Sequence, residues 1–236
     1  MDTNPAGAGR PTAPDPGELR LLEDQLARMR GMLFGYSERF FERIRTYLVL
    51  TLLLLVIGGA RIFPAAVIAV PFLVPFAFME TGYLFFYTVF ARRHAEYLER
   101  AINQRLGRDV LVAHRLEAAY FYPPDEPRIA AISLGNPLGT MSVMTIFYTG
   151  GAALLWIVGL LGTISVFAPD EGTTVFGIDA VLLIVGVQLA WTIAIAGHLV
   201  YASLTRRDEK PLITALDAAY GAPPASTPAA QPVTKP

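Results

Sequence analysis

Apolar residues in this chain run in long blocks, with no alternation of apolar and polar positions. Thr46–Ala60 is an uncharged block closed by Arg61. Ile62–Ala91 is a longer one, interrupted only by Glu80. Leu138–Ala168 contains no charge, and Gly172–Thr205 carries only Asp179 and His198. All but the first exceed the roughly 20 apolar residues that a helix needs to cross a bilayer. None of the blocks shows the period of two that marks a membrane barrel strand. The pattern predicts an all-α integral membrane protein with four transmembrane helices in two hairpins. Hairpin 1 occupies 46–91, with helices at about 46–62 and 64–91. Hairpin 2 occupies 138–205, with helices at about 139–168 and 174–205. The first segment is short. It reaches spanning length if Arg61 snorkels outward and Phe40, Phe41 and Ile44 sit in the interface. Its rival is a re-entrant hairpin, and both arrangements leave the two ends of hairpin 1 on the same side. Pro64 is placed at the start of the second helix, where proline is tolerated.

The polar stretches between the blocks carry their own periodicities. Residues 1–16 are rich in proline and poor in apolar side chains, which predicts disorder. Asp15-Pro16-Gly17-Glu18 reads as a helix start. Behind it, Leu19, Leu22, Leu26, Met29, Leu33, Tyr36 and Phe40 alternate steps of three and four, a heptad seam over three repeats. Residues 17–45 are therefore an amphipathic helix. It lies against the bilayer or its own bundle, or else forms a coiled coil between protomers. The loop 92–137 opens with helix formers that continue the second span until Gly107, a C-cap. A second helix or a short strand follows, and the loop as a whole is a helical hairpin too small for an enzyme domain. Residues 206–236 are a mostly disordered tail.

Charge sets an orientation. Of 19 Lys and Arg, seven precede Thr46, seven lie between Arg92 and Arg128, four follow Thr205, and only Arg61 falls in a predicted outer turn. The positive-inside rule then places both termini and the central loop in the cytoplasm, and the protein in a plasma (inner) membrane of bacterial type. No basic stretch followed by an apolar core opens the chain, so insertion is expected to use internal segments. The absence of cysteine excludes disulfides, thiolate metal sites and cysteine nucleophiles. A net charge of −1 gives no reason to expect nucleic acid as a partner. No phosphate-binding loop, dinucleotide fingerprint, zinc pair or nucleophile elbow occurs, so neither a cofactor nor a catalytic residue is assigned.

Candidate chemistry narrows to one acid. Counted from Arg92 along a regular helix, Glu80 is about 18 Å deep, near the bilayer centre. An unpaired carboxylate there is expensive, so Glu80 is expected to be paired, protonated or turned toward other helices. His198, Tyr148, Thr149 and Tyr87 are its candidate partners. Gly186, Ala190, Ala194 and His198 form a small-residue ridge expected to turn His198 inward. Pro71 and Pro75 are expected to kink or loosen the second span. Two functions follow. The first is a non-enzymatic scaffold or accessory subunit. Its interaction surface is Leu19, Leu22, Leu26, Met29, Leu33, Arg100 and Arg105, and its partners are the lipid bilayer and either a second copy or another membrane or cytoplasmic protein. The alternative is a small channel or carrier with a polar centre at Glu80 and His198.

Overall fold

A computed structural model describes residues 16–120, 128–129, 132–133, 140–167, 174–175, 178–207 and 209–221. The expected disorder of 1–16 therefore falls almost wholly outside the described residues, as do residues 168–173 between the last two apolar blocks and positions 222–236 of the tail. The described chain is almost entirely helical. Three helical stretches, beginning at Pro64, Ser142 and Ala180, are long and apolar enough to cross a membrane. The first helix is not among them, because its apolar part covers only Thr46 to Gly59.

Helix α1 runs unbroken from Pro16 to Gly59. At 1.5 Å per residue it is about 66 Å long, so the amphipathic segment and the first apolar block are one rod. Its end is a tight reversal. Arg61 takes the left-handed conformation usually reserved for glycine (φ 58°), and the Ile62 N–H donates back to the Ile57 carbonyl at 3.2 Å. A 3-10 helix, Pro64–Ala69, then packs so closely on α1 that a Cβ at Gly58 would collide with Val67. Helix α2, Val70–Leu106, starts with Pro71 in its first turn and keeps Pro75 inside it. The prolines thus mark the change from 3-10 to α geometry. Helix α2 ends at Gly107, whose φ of 63° and N–H bonds to the Asn103 and Gln104 carbonyls close it.

Helices α1 and α2 form an antiparallel hairpin along their whole length. Glu18 meets Arg105, Arg30 meets Glu99, Tyr36 stacks on Tyr87, Arg43 meets Glu80, and Tyr47 meets Phe76. The central loop contributes helix α3, Ala113–Tyr120. Helix α4, Thr140–Phe167, runs antiparallel to α2 and presents Gly162 to Val67, Gly159 to Val70 and Tyr148 to Phe78. Helix α5, Ala180–Thr205, runs parallel to α2, with Gln188 beside Ile68, Trp191 beside Phe72 and Leu199 beside Gly82. Asp179 caps α5 by accepting from the Leu182 N–H at 3.0 Å. The bundle is therefore up-down-up-down with α2 at its centre.

At the end of α2 remote from the reversal, further pieces gather into a head. They include α3 and a last helix, α6, Glu209–Tyr220. The latter lies in the tail expected to be mostly disordered. It forms because Leu216 finds a buried position and because Tyr97 donates to Asp217 at 2.6 Å. The short strand considered near Val110 does not form. The buried Asn103 side chain instead bonds the backbone of Val110 and Leu111 (2.7–3.0 Å), occupying groups that a strand would need for pairing. Two small antiparallel hairpins complete the described chain. One pairs β1 (Arg128–Ile129) with β2 (Ile132–Ser133), the other β3 (Thr174–Val175) with β4 (Ile178–Asp179).

Candidate functional site

Glu80 is held by helix α1. The Tyr47 hydroxyl donates to one carboxylate oxygen, and Arg43 Nε lies 3.2 Å from the other. Its level along α2 can be counted from either end. From Pro64, six residues of 3-10 helix at about 2.0 Å and eleven of α-helix at about 1.5 Å put Glu80 roughly 28 Å from the reversal. That is nearly a full hydrocarbon thickness of about 30 Å. Counted from Arg92 instead, the same residue lies about 18 Å inside the apolar part of α2. Nearby, the Phe40 ring contacts Phe41 and Phe85, and Tyr83 and Tyr87 are exposed on α2.

The other candidates do not converge on Glu80. Tyr148 packs against Phe78 with the rings tilted, and Thr149 is exposed on α4. Tyr87 stacks on Tyr36 with ring centroids 5.1 Å apart. His198 is exposed on α5. The ridge Gly186, Ala190, Ala194 and His198 points outward, against the expectation that it packs inward. The reason is Gln188, two positions after Gly186, which is fully buried. Its amide donates to the Ile68 carbonyl at 3.1 Å and to Thr163 Oγ1 at 3.2 Å. Trp191 adds a bond to the Phe72 carbonyl, and Trp156 donates to Thr192 at 3.1 Å. Burying an amide in an apolar surrounding costs less where it is bonded. The Gln188 NH2 is bonded while its Oε1 has no partner among the described residues, and these bonds turn α5 about its axis and leave the ridge outside. Sequence reasoning passes over Gln188 because it is uncharged. Its signal is a lone amide within the Gly172–Thr205 block.

Glu80→Gln is expected to be tolerated. The amide oxygen still accepts from Tyr47, and the pair with Arg43 is partly exposed, a class worth about 0–1 kcal/mol. Thermal unfolding in detergent would show a shift near zero, whereas Glu80→Leu, which strands Tyr47 and Arg43 together, would lower the midpoint.

The head uses the heptad seam internally. Leu22, Leu26 and Met29 are buried against Ala95, Leu98 and Ile102 of α2, with Leu19 at the margin. Leu33 is half-buried further along. The seam's partner is thus the second helix of the same chain. Arg100 bonds Glu96 and lies over the Tyr97 ring, 4.9 Å from its centroid. Arg105 bonds Glu18. At the centre is Glu99, 1% exposed. It accepts from Arg30 of α1 and from both the ring Nδ1 (3.0 Å) and the backbone N–H (3.1 Å) of His114 in α3. Burial alone pushes this carboxyl up. The hydrogen bonds from His114 and Arg30 outweigh it and hold the group below its usual range. Burial pushes His94, set between Gln25 and Tyr220, down. Burial, and then the Asp217 carboxylate, push the Tyr97 phenol up to about 12, so it remains a donor.

These buried polar groups of the head are therefore bonded to one another across α1, α2, α3 and α6, an arrangement that fixes helix positions. Comparison with protein-family models, curated proteins and solved structures returned no match. The functional reading rests on geometry and charge.

Proposed function

We propose that the chain is a non-enzymatic membrane scaffold or accessory subunit. Four apolar helices anchor it in an inner membrane, and a helical cytoplasmic head presents its binding surface. The observation that carries this reading is the convergence at one end of α2 of the first half of α1, the central α3 and the C-terminal α6. If α2 crosses the bilayer, these three segments lie on one side of it, which supports the same topology as the 18-to-1 partition of basic residues. The apolar part of α1 pairs along the same length of α2 as α4 and α5 do. That supports a fourth crossing, its shortness offset by Arg61 at the reversal and aromatic residues at the other boundary.

Because the seam is occupied within the chain, a cytoplasmic protein or a second copy would meet the outer face of α1. That face carries Arg20, Glu23 and Arg28 in the open, with Leu21 and Phe34 protruding (Phe34 is 78% exposed). Phenylalanine and arginine are among the residue types enriched at protein interfaces.

The absence of native cysteine makes the topology directly testable. Single cysteines at Ala60 and at Arg108 are treated with a membrane-impermeant maleimide. Labelling at 60 in intact cells, and at 108 only after permeabilisation, is expected. The reverse, or labelling of both from outside, would overturn the topology. For the surface, Phe34→Glu is expected to abolish capture of a stoichiometric partner or of a tagged second copy while leaving insertion unchanged. Capture that survives this change would place the binding face elsewhere.

A further inference from the structure

A groove of about 400 Å³ opens between α1, α2 and α4, bounded by Ile44, Leu48, Val74, Ala77, Phe147 and Leu155 among others. It runs from Ile44 to Thr51 along α1 and in the same direction along α4, about 11 Å at 1.5 Å per residue. Half of a bilayer's hydrocarbon is about 15 Å deep, so the groove covers most of one leaflet. Its size falls in the range of small-molecule sites. Helix α4 leaves it open because Gly151 and Ala152 stand where larger side chains would fill it. A Cβ on Gly151 would meet nothing within 4 Å.

The groove has a polar end. Tyr47, which lines it, is bonded to Glu80, and Glu80 is paired with Arg43. Only Nε of Arg43 is engaged there, and its side chain is 52% exposed. Arg39 stands exposed one turn below. An apolar trough of leaflet depth, connected at its Tyr47 end through Glu80 to a half-engaged guanidinium, is amphipathic in the same direction as a phospholipid. A guanidinium fork also matches a phosphate's oxygens.

We propose that this groove holds one acyl chain of an inner-leaflet glycerophospholipid whose phosphate is bound by Arg43. This rests on the membrane reading above. It assigns the Arg43–Glu80–Tyr47 cluster a second role, since Glu80 and Tyr47 orient the guanidinium toward the headgroup. The lipid is a bound component that wedges α1 against α4, where those two helices have little direct contact of their own.

The test uses full-length protein reconstituted in vesicles of phosphatidylethanolamine and phosphatidylglycerol, re-extracted in mild detergent and weighed by native mass spectrometry. Wild type is expected to retain one phospholipid. Gly151→Leu, whose side chain enters open space, is expected to lower that occupancy at least about tenfold, and Arg43→Gln to weaken it by about the same factor. Both variants are first checked for unchanged helical circular dichroism and monodispersity. Gly150→Leu, on the same helix with open space around its Cβ but outside the groove, is the control expected to retain the lipid. Wild type that inserts correctly yet retains no phospholipid would overturn the proposal while leaving the membrane reading intact. So would retention unaffected by Gly151→Leu, or a retained mass that is a phosphate-free fatty acid or a second protein chain.

Discussion

Glu99→Ala is expected to open the head while leaving the membrane helices assembled. The substitution removes the acceptor shared by Arg30 and by the ring and backbone N–H of His114. Breaking a buried charged network by deleting one partner costs about 3–5 kcal/mol, most of it from the groups left behind. The backbone N–H of His114 is among those groups, so the start of α3 is expected to detach together with α1. Hydrogen exchange is the measurement. Amides of residues 16–35 and 113–120 should lose protection, while those of α4 and α5 keep theirs. Uniform loss along the whole chain would mean that head and membrane bundle unfold as one unit, and unchanged protection would deny Glu99 its central place.

The same group predicts a pH dependence. Its folded pKa lies below the ordinary value of 4.5, so the folded head binds fewer protons than the unfolded one near that pH. The stabilisation is fully present above about 4.5 and is lost as pH falls through the folded value. Acidification of the wild type is therefore expected to reproduce the exchange pattern of Glu99→Ala. The variant itself should show a weaker dependence over that range.

How far the residues announce this architecture depends on the kind of interaction involved. The apolar blocks are legible because hydrophobic length is a direct physical requirement of a bilayer. The seam on α1 is legible as a periodicity, but its partner is not. A heptad states that a face is buried and leaves open whether another protomer, a membrane or the same chain buries it. What decides is the length of α2 beyond its apolar part, which supplies Ala95, Leu98 and Ile102 at matching levels. The helix at 209–220 is hidden for a related reason. Its helical tendency is modest, and it depends on docking to Tyr97 and His94, more than a hundred residues away. Glu80 shows the opposite failure. Its need for a partner is plain, but its partners Arg43 and Tyr47 lie on the preceding helix, which a ranking of candidates by depth does not reach. The outward ridge on α5 completes the lesson, because small residues permit close packing without demanding it, whereas a buried amide such as Gln188 must find partners.

The glycines of α4 put that distinction to a quantitative test. A Cβ on Gly159 would lie 2.5 Å from Val70 Cγ1 and 2.7 Å from Val70 Cβ, and would press on the Pro71 ring at 3.1 Å. Val70 is fully buried at the first turn of α2, and neither it nor the proline has room to retreat. Overpacking of this kind costs about 1–3 kcal/mol, occasionally more. Gly159→Leu is expected at or beyond the upper end, because the larger side chain must separate α4 from α2 and so pull Thr163 away from Gln188. Gly186→Ala and Gly150→Ala are the matched controls. A Cβ at either position meets nothing within 4 Å, and alanine restores helix propensity, so these changes should be neutral or slightly stabilising. Thermal unfolding in one detergent compares all three. If Gly186→Ala instead disrupts the protein in membranes but not in detergent, a helix from another copy or another protein packs on the outer ridge of α5. If Gly159→Leu is silent, α4 does not approach α2 as closely as Val70 and Pro71 require.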